Sequence, residues 1–249
     1  MTWQNPLHHP TLDREQVHIW RANLNLPADE VTRLSAFLSP DETARANKYR
    51  FPIHRRRFIV ARGILRDLLG NYLEISPNTV KFEYGDRGKP YISFNTCQDL
   101  QFNISHSEEY ALLGFTYARS VGVDIEYLRE MSDAVKIAQR FFSPKEYDLI
   151  RNLDAKQQCQ AFFKLWTAKE AYLKAIGTGL AGCLTSIDID FDSYGDRISL
   201  SCNNNLTSVD NWSIYPCIPA SSYVGTIAID ARVSKQQICF WNWNYSHSN

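Results

Sequence analysis

The sequence predicts an α+β fold made of two halves, each setting one long helix against several strands. Three observations carry this. A helix-forming stretch with an apolar face runs from Phe58 to Tyr72, and a second from Phe162 to Ala175. Strand-like segments precede the second helix and follow it, the later ones reading as antiparallel neighbours. Apolar content is 44% and charge 22%, the ordinary balance of a globular chain with a sizeable core. No short repeat relates the two halves.

Charge and cysteine usage narrow the class. Lys and Arg number 27, and Asp and Glu number 27, so the net charge is zero and no basic footprint for general nucleic-acid binding is present. No stretch approaches the ~20 apolar residues of a membrane span. The opening Met1-Thr2-Trp3-Gln4-Asn5-Pro6 has neither a basic region nor an apolar core, so no signal peptide is expected. Cys97, Cys159, Cys183, Cys202, Cys217 and Cys239 show no Cys-x2-Cys spacing. With an ordinary core to hold the fold, free thiols in a reducing, cytoplasmic protein are expected rather than disulfides.

In chain order, residues 1–15 are polar, with Pro6 and Pro10. Val17-His18-Ile19-Trp20 alternates like a strand. Ser39-Pro40-Asp41-Glu42 opens a helix, with a capping serine, proline in the first turn and two acids behind it. A basic block from Lys48 to Arg57 leads into the first long helix, whose inner face holds Phe58, Ala61, Ile64, Leu65, Leu68 and Tyr72. Arg55, Arg62 and Arg66 share another face. They form either a solvated basic face or a converging set of guanidiniums for a phosphorylated ligand.

Val80 to Tyr84 reads as a strand, and Gly85 to Pro90 as a turn. Phe102 to Ser107 ends a strand. Adjacent strand residues point apart, so Ser105 and His106 are no catalytic dyad, and no Gly-x-Ser-x-Gly elbow suggests a serine hydrolase. Tyr110–Phe115 and Val121–Glu126 are apolar strands. In the second, Asp124 and Glu126 face one way, opposite Val121, Val123 and Ile125. Two carboxylates on one face repel each other. Either that face is open to solvent, or a hard divalent cation relieves the repulsion.

Helices are expected over Asp133–Phe142 and from Ser143-Pro144-Lys145-Glu146 to about Leu153, the latter with a capping serine. The second long helix carries Glu170 and Lys174 one turn apart, able to address one point or simply to pair. Lys169 falls in its apolar stripe, where a charge is costly without a partner. After the Gly177–Gly182 loop, strands are expected at Leu184–Phe191, Ile198–Leu200, Trp212–Pro216 and Tyr223–Ile229, with a turn at Asn203–Asn205.

Gly122-Val123-Asp124-Ile125-Glu126, followed about forty-five residues later by Trp166-Thr167-Ala168-Lys169-Glu170-Ala171-Tyr172-Leu173-Lys174, resembles the paired motif of the 4′-phosphopantetheinyl transferases. Asn103-Ile104-Ser105-His106 precedes them in the family's order. The likeness is to the long Sfp type, and more narrowly to its cyanobacterial members, over roughly residues 15–232. It implies a pseudo-twofold architecture, with halves at 1–121 and 122–249 and the site in the crevice between them.

The activity so implied is transfer of the 4′-phosphopantetheine arm of coenzyme A to a serine of an apo acyl or peptidyl carrier protein, leaving 3′,5′-ADP. Such carriers serve fatty-acid, polyketide and nonribosomal peptide synthesis. By resemblance, Asp124, Glu126 and Glu170 hold magnesium, Glu170 takes the serine proton, and Lys174 stabilises the phosphoryl group. Arg57, Lys89, Ser105 and His106 contact coenzyme A. Arg140-Phe141-Phe142-Ser143-Pro144-Lys145-Glu146 matches a further family motif that gives Glu146 an auxiliary catalytic role, although a first-turn glutamate is favoured by the helix dipole alone. A monomer is expected, with no nucleic-acid or membrane partner. The other readings are a magnesium-dependent enzyme acting on phosphate esters with water as acceptor, and a non-catalytic nucleotide- or carrier-binding module.

Overall fold

A computed structural model describes residues 2–92, 99–178, 184–191, 198–202 and 211–244. The expected turn at Asn203–Asn205 and most of the Gly177–Gly182 loop lie outside the described residues. The chain forms two compact units, Met1–Ala118 with Gln236–Asn249, and Arg119–Lys235.

In the first unit, β1 (Val17–Asn23) is followed by α1 (Ala28–Ser35), α2 (Pro40–Asn47) and α3 (Pro52–Leu73). A small hairpin, β2 (Phe82–Tyr84) and β3 (Pro90–Ile92), leads to a longer one, β4 (Leu100–Ser107) and β5 (Tyr110–Tyr117). The apolar face of α3, with Val60, Ile64, Leu65, Leu68 and Leu69, shares one core with Trp20, Phe102, Leu113 and Phe115 from the strands.

The second unit starts with β6 (Val121–Tyr127), then α4 (Ala134–Phe141), α5 (Pro144–Arg151) and α6 (Ala155–Ile176). It closes with β7 (Ile187–Phe191), β8 (Ile198–Cys202), β9 (Ser213–Cys217) and β10 (Tyr223–Ile229). The strands form an antiparallel sheet in the order β6-β10-β9-β8-β7, and α6 packs on β6 and β10. Asp154 caps α6 by accepting from the Gln157 amide at 2.9 Å, and Gly177 ends it at φ 76°, a left-handed stop that favours glycine.

The expectation that everything after residue 122 belongs to the second half is corrected by β11 (Ile238–Asn242). This strand runs parallel to β1, at the edge of a β11-β1-β5-β4 sheet, so residues from Gln236 onward join the first unit. Its backbone hydrogen bonds to β1 are the cause, since an edge strand pairs wherever its polar groups find partners. No helix among the described residues is long and apolar enough to cross a membrane. The thiols of Cys159, Cys217 and Cys239 are free.

Candidate active site

The geometry of the second unit starts at Gly122. A Cβ built there would lie 1.9 Å from the Ala171 carbonyl oxygen and 2.5 Å from the Ala175 amide nitrogen. Only glycine lets the backbone of α6 lie that close to β6. Gly122, Asp124 and Glu126 alternate onto one face of the strand, the face that meets α6. Ala171 and Ala175 supply the small contact surface, and their sequence neighbours Glu170 and Lys174 flank it. A buried hydroxyl pair, Thr167 and Thr226 at 3.0 Å, ties α6 to β10 beside Asp124, which pairs with Thr226 across the sheet.

The expected residues are therefore brought together. Lys174 Nζ donates to Asp124 Oδ1 at 2.6 Å, and Asp124 is only 3% exposed, so its strand face is covered rather than open. Glu170 is buried, and its Oε1 accepts no hydrogen bond. Its carboxyl is pushed up to about 7, first by loss of solvent, then by the negative charge of Asp124, with Lys174 pulling the other way and Glu126 adding to the rise. Crowded carboxylates of this kind fit a hard divalent cation, and Glu170 Oε1 is a buried oxygen with capacity to ligate it. Among the described residues no three His, Cys, Asp or Glu side chains already stand as a ligand set; Asp124 Oδ1 instead takes the Lys174 ammonium.

Glu146 lies elsewhere in the same unit. Its Oε1 accepts from the Ile189 amide at 2.9 Å. Its Oε2 accepts from the Ser143 amide at 2.9 Å, closing a capping box on α5, and from Lys169 Nζ at 2.7 Å. Lys169 also donates to the carbonyl oxygens of Leu184 and Ile187. With both oxygens engaged and 3% exposure, Glu146 is a core-stitching residue, and the auxiliary catalytic role expected of it is withdrawn. Two features of the sequence could have shown this: a Ser-x-x-Glu capping box and a lysine in an apolar stripe that requires an acidic partner.

In the first unit, Arg57 and His106 line one cavity of about 250 Å³ with Tyr49, His54 and Glu108. Arg57 reaches it from the first turns of α3 and His106 from near the end of β4. Ser105, its neighbour on the strand, is buried and is not among the lining residues. Lys89 is half-buried just ahead of β3, where the turn closes through a Gly85 amide bond to the Lys89 carbonyl at 3.0 Å. Burial pulls its ammonium below the usual lysine range.

Arg62 and Arg66 do not converge on a ligand. Both are buried and both bond Glu42, the capping-box acid of α2; Arg66 Nε is 2.6 Å from Glu42 Oε2 and Arg66 also donates to the Pro77 and Val80 carbonyls. Buried guanidiniums need such partners, and this one carboxylate serves two.

Residues 25–116 match the family model described as 4′-phosphopantetheinyl transferase, N-terminal, and residues 120–228 that of the 4′-phosphopantetheinyl transferase superfamily. The chain is 42% identical over 229 residues to the 4′-phosphopantetheinyl transferase HetI of Nostoc sp., covering 92% of this chain and 93% of that protein. It is 27% identical over 214 residues to the 4′-phosphopantetheinyl transferase Sfp of Bacillus subtilis, covering 86% and 87%. It is 36% identical over 134 residues to the 4′-phosphopantetheinyl transferase gsp of Aneurinibacillus migulanus, covering 54% of each. The chain belongs to the 4′-phosphopantetheinyl transferase family, in its Sfp type.

Proposed function

We propose that the chain moves the 4′-phosphopantetheine arm of coenzyme A onto a serine hydroxyl of an apo carrier protein, with Glu170 as the proton acceptor. The observation that carries this is Glu170 itself: a buried carboxyl with an uncommitted oxygen, one helical turn from Lys174, whose ammonium pairs with Asp124. Abstraction of a hydroxyl proton requires a positioned carboxylate oxygen with room to accept it. The serine oxygen bonds to the phosphorus next to the pantetheine, the bond from that phosphorus to the bridging oxygen breaks, 3′,5′-ADP leaves, and the serine proton passes to Glu170 directly or through one water. Lys174 brings an ammonium to the negative charge of the transferred group.

Asp124, Glu126 and Glu170 are the residues that would hold magnesium, which supplies charge neutralisation at a pyrophosphate. In the first unit, Arg57 and His106 take the 3′-phosphate of coenzyme A, with Lys89 and Ser105 as further coenzyme contacts. The protein acts as a cytoplasmic monomer on acyl or peptidyl carriers. Free thiols and two helix-and-sheet units within one chain support that reading. The balance of 27 basic and 27 acidic residues supports the absence of a nucleic-acid partner.

Incubation with coenzyme A, magnesium and an apo carrier tests the reaction. The carrier should gain the mass of one phosphopantetheine. Coenzyme A cleaved without any carrier would indicate a phosphate-ester hydrolase, and coenzyme A left intact in both arms would indicate a binding module.

A further inference from the structure

The turn between β4 and β5 carries a carboxylate into the Arg57 cavity. Glu108 sits there with φ 47°, in the left-handed region, and its Oε2 lies 2.8 Å from an Arg57 terminal nitrogen. The other lining groups, Tyr49, His54, Arg57 and His106, all have donor capacity, so Glu108 is the one acidic side chain among them. Arg57 is well covered, its side chain 15% exposed, and its Nε is buried without an acceptor. The Glu108 side chain is 49% exposed. One partner of the pair is fixed by the fold, and the other is half in water on a tight turn.

We propose that Glu108 is an internal anion that holds the Arg57 guanidinium in the ligand-free protein and gives it up to the 3′-phosphate of coenzyme A, so that it sets the affinity and selectivity for that phosphate. The inference rests on the reading of Arg57 and His106 as the 3′-phosphate seat. A phosphate monoester carries up to two charges and three acceptor oxygens, and it satisfies more of the seat's donors than one carboxylate does. A half-exposed ion pair is held weakly, so Glu108 leaves at small cost, while its charge beside the incoming phosphate still opposes binding. A ligand without the 3′-phosphate leaves Glu108 in place and gains nothing from its removal.

Titration calorimetry with coenzyme A and with 3′-dephospho-coenzyme A, on the full chain, reads this out. Glu108→Gln should tighten coenzyme A about two- to fivefold and leave the dephospho form unchanged, with the gain shrinking as salt is raised. Glu108→Asn, which tolerates the left-handed backbone, should do the same. In an Arg57→Ala background the gain from Glu108→Gln should shrink, leaving only the relief of charge repulsion against the phosphate. Unchanged or weaker binding of coenzyme A by both Glu108 variants overturns the proposal, as does equal tightening with and without Arg57. Arg57→Ala alone separates the two readings. If it leaves coenzyme A binding intact, the phosphate seat itself falls and Glu108's role falls with it. If it weakens coenzyme A selectively while Glu108→Gln tightens nothing, the seat stands and only the internal anion is refuted.

Discussion

Lys169 Nζ lies 2.7 Å from Glu146 Oε2, and neither side chain meets solvent to more than a few per cent. Removing one partner strands the other as an uncompensated buried charge, which typically costs about 3–5 kcal/mol. Lys169→Met should therefore lower unfolding free energy by that order, and Glu146→Gln by somewhat less, since its amide oxygen still accepts one bond. The double variant Glu146→Gln/Lys169→Met should recover part of the loss. Urea unfolding measures all three. A Glu146→Gln protein of wild-type stability that transfers a hundredfold more slowly would restore Glu146 to the catalytic set.

Gly122 is predicted to tolerate no side chain. Alanine there would place its methyl 1.9 Å from the Ala171 carbonyl oxygen, and neither the helix backbone nor the strand can yield that far without parting. Overpacking of this severity should cost about 3 kcal/mol or more. It should also remove transfer activity at temperatures where the variant is still folded, because Glu170 and Lys174 move away from Asp124 with the helix. Full activity in folded Gly122→Ala would show that the α6–β6 spacing does not set the site.

Glu170→Gln keeps the size of the side chain and a ligating oxygen but cannot accept a proton. It should bind coenzyme A within a few-fold of wild type and transfer at least about a hundredfold more slowly. A second readout needs no turnover. The folded carboxyl titrates at about 7 against an ordinary value of 4.5, so the folded state holds its proton more tightly than the unfolded chain. This contribution to stability is complete below about pH 4.5 and is lost as the pH rises through 7, to the extent of about 3 kcal/mol. In chelator at pH 8, Glu170→Gln should thus be more stable than wild type, and magnesium should raise wild-type melting more than that of the variant. Identical pH profiles for the two proteins would remove Glu170 from this environment.

His18 should act in the opposite direction. It is 1% exposed and its ring is held down to about 4, by desolvation first and then by the neighbouring His9. Its Nδ1 is 2.8 Å from the Tyr72 hydroxyl, which also accepts from Trp20 Nε1 at 2.7 Å, so the hydroxyl proton points to a neutral imidazole. The unfolded chain binds this proton near 6.5 and the folded protein only near 4, so stability from this site is present above 6.5 and lost as pH falls toward 4. The loss should reach about 2–3 kcal/mol. Comparing urea unfolding of wild type and His18→Asn at pH 7 and near pH 4 tests it; a parallel fall in both proteins would exclude His18 as the source.

Much of this was legible locally. The Ser143-Pro144-Lys145-Glu146 cap, the α6 stripe ending at Gly177, the β10 segment and the two-sided β6 pattern are each written in neighbouring residues, and they place Asp124, Glu170 and Lys174. What was not legible depends on residues far apart in the chain. Arg62 and Arg66 look on a helical wheel like an open basic face, and only the packing of α2 against α3 brings Glu42 to them. Glu146 looks catalytic by motif until Lys169, 23 residues later in the sequence, is seen to fill its oxygen. The strand β11 lacks a strong period, and its pairing with β1 defines it.

The return of β11 to the edge of β1 also has a consequence for biosynthesis. Arg119–Lys235 is one uninterrupted stretch and can close its core as soon as it clears the ribosome. The first unit cannot: although its α3 core is synthesised early, β1 keeps an unpaired edge until residues 238–242 emerge. For that interval a nascent chain exposes a ready template for another strand, the state in which edge-to-edge aggregation begins. A stop codon placed just after Lys235 would make the interval permanent, so such a truncated protein should accumulate in inclusion bodies while retaining every residue of the proposed catalytic cluster.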